Sequence, residues 1–142
     1  LFRSDMTVRE FMPPNPQTIH PDSGVKTAYR LMRKGNFRQL PVVEDGRLVG
    51  IITDRDIRRP EMADTFEEWA AHYRLDDSFT VRSLMTTDVV TVGVNEDLLT
   101  ACRLLKKHKF NALPVVDSDG GLVGIVTLHD ILDALIMLLE RS

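Results

Sequence analysis

The chain has 142 residues, 43% hydrophobic and 27% charged, with a net charge of −3 at pH 7, enough apolar material for one ordinary domain or two small ones without staples. The acidic balance and a pI near 5.8 speak against a dedicated nucleic-acid binder. Cys102, the single cysteine, excludes a disulfide framework and a Cys-based metal site, and it fits a reducing cytoplasm.

In chain order, Leu1 to Asp5 are left outside the predicted fold and "TVREFM" (Thr7 to Met12) opens the first periodic stretch. "QTIH" (Gln17 to His20) alternates as a short strand. Asp22 stands as an N-cap before Val25, Ala28, Leu31 and Met32, whose spacing predicts a helix. "LPVVE" and "RLVGIIT" are β-branched runs joined through Asp45-Gly46, a hairpin signal. A last helix begins after Thr53 and ends near Pro60. An acidic insert follows, in which Phe66, Trp69, Ala70 and Tyr73 make one stripe of a short amphipathic helix. It packs on its own protein or docks a partner.

Then the order repeats. "TVRSLM" (Thr80 to Met85) lies 73 residues after "TVREFM". "VVTV" (Val89 to Val92) is the next strand, Asn95 the matching cap, and Leu98, Ala101, Leu104 and Leu105 the matching helical stripe. "LPVVD" and "LVGIVT" form a second hairpin around the longer turn "DSDGG". The extra turn residue moves the offset to 74, which relates Thr53 to Thr127 and Asp56 to Asp130. A constant offset with one turn insertion means two copies of one folding unit. The predicted organisation is an α/β (α+β) chain of two strand-helix-strand-strand-helix modules, 6–60 and 80–140, with a linker at 61–79. The second copy's last helix, Leu128 to about Glu140, is apolar on almost every side and is expected to be buried, against the other module or in a homodimer. Asp133 interrupts it, and its apolar stretch is too short to cross a bilayer. No signal peptide is visible.

"GIITDRD" and "GIVTLHD" carry the chemistry. Each puts Thr where a strand ends and a helix begins, a place whose unpaired N–H groups suit a phosphate. Asp56 and Asp130 follow one turn later. A carboxylate can accept from two neighbouring hydroxyls, such as those of a ribose. The same spacing is also a capping box, in which Thr caps the helix and the acid reaches back. Both roles remain open on the residues alone, and they are compatible. Between them, Arg55 can pair with a phosphate, and His129 can do so when protonated or as a neutral donor.

The doubled unit, with "LPVV", a Gly-hydrophobic-hydrophobic-Thr strand and an Asp three residues later, resembles the CBS (cystathionine β-synthase) domain over roughly Met6 to Pro60 and Thr80 to Glu140. The layout with its insert is similar to stand-alone CBS pairs of the acetoin-utilisation type. The resemblance implies β-α-β-β-α modules packed with pseudo-twofold symmetry, pairs that stack as a homodimer, and a regulatory role. It also implies clefts that bind an adenosine-containing ligand such as AMP, ADP or ATP, whose ribose the matching Asp holds. Occupancy is passed to a regulated protein that the sequence does not name. By position, one cleft joins Thr53, Arg55 and Asp56 to Met85, Val90, Asn111 and Ala112. The other joins Thr127, His129 and Asp130 to Met12, Gln17, Arg38 and Gln39. Val90 suits an adenine face. Phosphates are expected at Arg55 in the first and at Arg38 in the second.

No catalytic set is expected. His20, His72, His108 and His129 show no metal spacing, and Cys102 reads as a buried structural residue. "KKHK" (Lys106 to Lys109) reads as a favourably charged helix end rather than a nucleic-acid patch. No catalytic cofactor and no membrane partner are expected. The reading from another class is a CBS module with empty clefts that serves dimerisation or protein interaction.

Overall fold

A computed structural model describes residues 6–13, 15–57 and 79–141. The stripe at Phe66 to Tyr73 lies outside the described residues. The elements are α1 (Val8–Phe11), α2 (Val25–Gly35), β1 (Gln39–Glu44), β2 (Arg47–Thr53), α3 (Asp54–Ile57), α4 (Val81–Leu84), β3 (Val92–Gly93), α5 (Leu98–His108), β4 (Ala112–Val116), β5 (Leu122–Thr127) and α6 (Leu128–Arg141).

These elements form two compact units. One holds Gln17–Val89; the other combines Leu1–Pro16 with Val90–Ser142. The repeats of the sequence and the packed units are therefore cut differently. In the 17–89 unit, Ile19, Val25, Ala28, Met32, Leu40, Val42, Ile52 and Ile57 form a core completed by Val81 and Leu84 of the second repeat. In the other unit, Val92, Leu98, Ala101, Leu105, Leu113, Val115 and Val126 are joined by Met6 and Val8 of the first repeat. Backbone bonds secure each exchange. Val81 N–H donates to Ser23 at 2.8 Å and Val25 N–H to Phe79 at 2.9 Å, while Val8 N–H donates to Glu96 at 3.0 Å and Leu98 N–H to Met6 at 2.9 Å.

The helical stripes are as the spacing predicts: Val25, Ala28 and Met32 are buried on α2, and Leu98, Ala101 and Leu105 on α5. Their caps are not. Gly24 is the N-cap of α2, with no side-chain bond, and Asp97 is that of α5, its carboxylate accepting from Leu99 N–H at 3.2 Å. Asp22 is drawn instead to Arg82 at 3.2 Å, with Glu44 on the same guanidinium at 3.0 Å. These hydrogen bonds, to Asp22 first, raise the Arg82 pKa. Asn95 lies in the turn before Asp97. Both helices end on a left-handed residue, Asn36 (φ 56°) and Lys109 (φ 58°), whose N–H returns to a carbonyl of the last turn.

Both hairpins form. β1 and β2 meet through Asp45 (φ 52°) and Gly46 (φ 80°), the double positive φ of a hairpin turn. Each hairpin also holds a bulge: Val42 faces Gly50 but Val43 faces Leu48, and Val115 faces Gly124 but Val116 faces Leu122. The odd residues, Val49 and Val123, pack partly buried against their cores. The expected strand at Gln17 to His20 shrinks to one parallel bridge, Ile19 to Val42, and that at Val89 to Val92 shifts to Val92–Gly93, parallel to β4.

Within the single chain the last helix is covered on one face. Asp130 and Ala134 are buried, with Ile131, Met137 and Leu138 packed beside them. Leu128, Leu132, Leu135, Ile136 and Leu139 are exposed, Leu139 at 65%.

Candidate ligand-binding residues

At the end of β2, Thr53 N–H donates to Asp56 Oδ2 at 2.9 Å and Asp56 N–H donates to Thr53 Oγ1 at 3.0 Å. This reciprocal pair is a capping box. The second copy has one bond more: Asp130 Oδ2 accepts from Thr127 N–H at 2.8 Å and from the Thr127 hydroxyl at 2.9 Å, and Asp130 N–H donates to Thr127 Oγ1 at 3.2 Å. The capping role left open by the residues is thus real in both copies. It uses one oxygen of each carboxylate. Oδ1 of Asp56 and of Asp130 takes no hydrogen bond from the described residues, and no buried side-chain polar atom among those residues lacks a partner. Each Oδ1 is therefore open to solvent and can accept from a ligand, even though Asp130 as a whole is only 7% exposed.

The first helical N–H of each site is tied to the second residue before "LPVV". Asp54 N–H donates to the Arg38 carbonyl at 2.8 Å, and Leu128 N–H to that of Asn111 at 2.9 Å. In the hairpin register Gln39 faces Thr53 and Ala112 faces Thr127. The two methionines of the site set lie under glycines: a Cβ added to Gly50 would meet Met85 Sδ at 2.7 Å, and one added to Gly124 would meet Met12 Sδ at 2.6 Å. Arg38, Arg55, Asn111, His129 and Gln17 are exposed, and Val90 is half-buried.

The 17–89 unit therefore carries Gln17, Arg38, Gln39, Thr53, Arg55, Asp56 and Met85. The other carries Met12, Val90, Asn111, Ala112, Thr127, His129 and Asp130. Each expected cleft set draws on both units. The carbonyl ties of Arg38 and Asn111 escape a sequence reading, since any residue has a carbonyl. Among the described residues, His20, Asp22 and Glu44 have potential metal-ligand atoms within 4.8 Å of one another. Arg82 already bonds both carboxylates there. Among the described residues no helix is long and apolar enough to cross a membrane.

Comparison with known proteins agrees with the doubled geometry. The CBS domain model matches residues 8–61 and again 81–137. A CBS domain-containing protein of Dictyostelium discoideum is 35% identical over 138 residues, 94% of this chain and 93% of that protein. Inosine-5'-monophosphate dehydrogenase of Thermoplasma acidophilum is 36% identical over 115 residues, 81% of this chain, but the chain spans just 21% of that enzyme. Among solved structures, the CBS-pair protein CBSX2 from Arabidopsis thaliana superposes with a TM-score of 0.85 at 33% identity, covering 96% of this chain and 98% of that one. CBSX2 in complex with AMP gives 0.78 at 33% identity, over 94% and 98%. The CBS domain pair of protein MJ0100, in complex with 5-methylthioadenosine and S-adenosyl-L-methionine, gives 0.70 at 28% identity, over 92% and 95%. With both modules matched in order along nearly the whole chain, this protein belongs to the CBS domain family as a tandem pair.

Proposed function

We propose that the chain is a non-enzymatic regulatory module that binds an adenosine-containing nucleotide and passes its occupancy to a partner protein in the cytoplasm. The observation that carries this reading is the division of labour within Asp56 and Asp130: one oxygen caps the helix and the other stays open. A ribose hydroxyl pair supplies the donors that the open oxygen lacks. In this proposal the Asp56 set takes Met85, Val90, Asn111 and Ala112 and holds phosphates at Arg55. The Asp130 set takes Met12, Gln17, Arg38 and Gln39 and holds phosphates at Arg38, with His129 beside Thr127. AMP on CBSX2 and S-adenosyl-L-methionine on MJ0100 support the ligand class. A ligand that touches both modules favours one arrangement of them, and a partner that prefers that arrangement senses the ligand.

The test is thermal unfolding with AMP, ADP, ATP and S-adenosylmethionine on the wild type, Asp56→Asn and Asp130→Asn. Asparagine keeps a carbonyl oxygen for the cap but replaces the open acceptor with a donor. A ligand at about 100 times its Kd should add roughly 2.7 kcal/mol per site, a rise on the order of 2–4 °C per kcal/mol. The expected result is a wild-type rise that the asparagine variants lose while their ligand-free midpoints stay near wild type. No rise with any ligand on folded protein would leave the second reading, an interaction module with empty clefts.

The exposed face of α6 favours self-association in either case. Contiguous apolar surface of this kind marks an interaction site, and a second copy of the chain presents the same stripe. Leu135→Glu should convert a homodimer to monomer in light scattering. An unchanged mass would move the interface elsewhere and leave the nucleotide reading untouched.

A further inference from the structure

The two repeats serve as templates for each other, and one of their differences lies on the first long helix of each. In the first, Tyr29 packs partly buried against the core. Arg33 closes over it, its guanidinium 5.8 Å from the ring centroid and 3.2 Å from the phenol oxygen. At the matching positions of the second repeat stand Cys102 and Lys106. The ring is gone and the cation remains. Cys102 and Lys106 line an open groove of about 300 Å³ in the second unit.

Its walls are apolar: Leu105 from α5, Phe110 after it, and Leu128 and Ile131 from the head of α6. The Phe110 ring is fixed by stacking on His108, centroids 5.1 Å apart. Leu128 replaces Asp54 of the first repeat, so an apolar lip stands where the other copy has a charge. Lys106 and Lys109 line the groove, and among the described residues no carboxylate does. Burial raises the pKa of the Cys102 thiol, so the wall beside the lysines is neutral. An apolar cavity of roughly 150 Å³ is enough for a benzene ring. Neither Thr127 nor Asp130 lines this groove, which separates it from the nucleotide residues; Asn111 alone is shared.

We propose that this groove binds a monocyclic aromatic acid, its ring beside Cys102, the counterpart of Tyr29 in the first repeat, and its acid group on the ammonium groups of Lys106 and Lys109. The ring recovers the apolar burial that Cys102 leaves unmade, and the lysines meet the charge as Arg33 meets the phenol oxygen. The site is independent of the nucleotide reading.

The experiment is an amide NMR titration of the full chain with 4-hydroxyphenylacetate and with the uncharged 4-hydroxybenzyl alcohol. Saturable shifts are expected at Cys102, Asn111 and Leu128 with the acid, and binding about tenfold weaker with the alcohol, the loss of one charge-assisted hydrogen bond. Cys102→Tyr, which restores the ring of the first repeat at the groove wall, should abolish saturation. Lys106→Gln, an exposed change that leaves the core alone, should weaken the acid about tenfold. Absence of saturation at those amides, equal binding of acid and alcohol, or unchanged affinity in both variants would each overturn the proposal. So would displacement of the probe by AMP, which would make the groove part of the nucleotide site. Binding to a monomeric Leu135→Glu variant alone would identify a second copy as the occupant and reject the aromatic acid.

Discussion

Gly50 and Gly124 are positions where a single methyl group decides the outcome. At Gly124 an added Cβ would meet the thioether of Met12 at 2.6 Å and the Pro13 carbonyl at 3.2 Å; at Gly50 it would meet the Met85 thioether at 2.7 Å and the Thr86 carbonyl at 2.9 Å. A methionine tip can move, but the Thr86 carbonyl is held by Ile51 N–H at 2.9 Å. Gly50→Ala should therefore cost more than Gly124→Ala, within the ~1–3 kcal/mol typical of overpacking, as urea midpoints would show. At this scale the Thr-x-x-Asp boxes were legible in the sequence because their partners lie three residues apart. The role of Asp22 was not. Its carboxylate serves Arg82, sixty residues away, and a cap rule sees only the next few positions.

Among elements, the stripes of α2 and α5 could be read from spacing because one face of each is buried and the other wet. The short strands could not: Ile19 bonds Pro41 and Val43 and then gives way to the turn that His20 and Ser23 close. The bulges at Val49 and Val123 were hidden too, since both runs are β-branched whether or not a residue is left unpaired. The left-handed ends offer a test. Lys109 holds φ 58° at the end of α5, where a side chain on Cβ is penalised and glycine is not. Lys109→Gly should stabilise the chain by about 0.5–1 kcal/mol, measurable as a higher urea midpoint with an unchanged slope. A lower midpoint would show that the lysine side chain contributes more than its backbone costs.

At the scale of the molecule, the repeats could be read and the cores could not. Periodicity identifies two like sentences, yet Val8 and Val81, each 0% exposed, complete the core written by the opposite repeat. Nothing in "TVREF" or "TVRSL" says which set of strands it will join. Pairing across the chain is decided by long-range packing, which local spacing does not encode.

That exchange makes the chain a domain-swapped dimer whose two partners have been tied end to end. Either repeat by itself lacks a segment of its own core and can find it only on another polypeptide. Cleavage within residues 58–78 should therefore leave two pieces that stay associated and refold together, whereas each purified piece alone should lose its helical circular dichroism. The midpoint of the nicked protein should rise with concentration, unlike that of the intact chain at the same site of unfolding, because the linker supplies an effective local concentration that dilution cannot remove. A fully folded isolated piece would show that the borrowed valines are dispensable. The tether thus makes the union of the two halves independent of dilution.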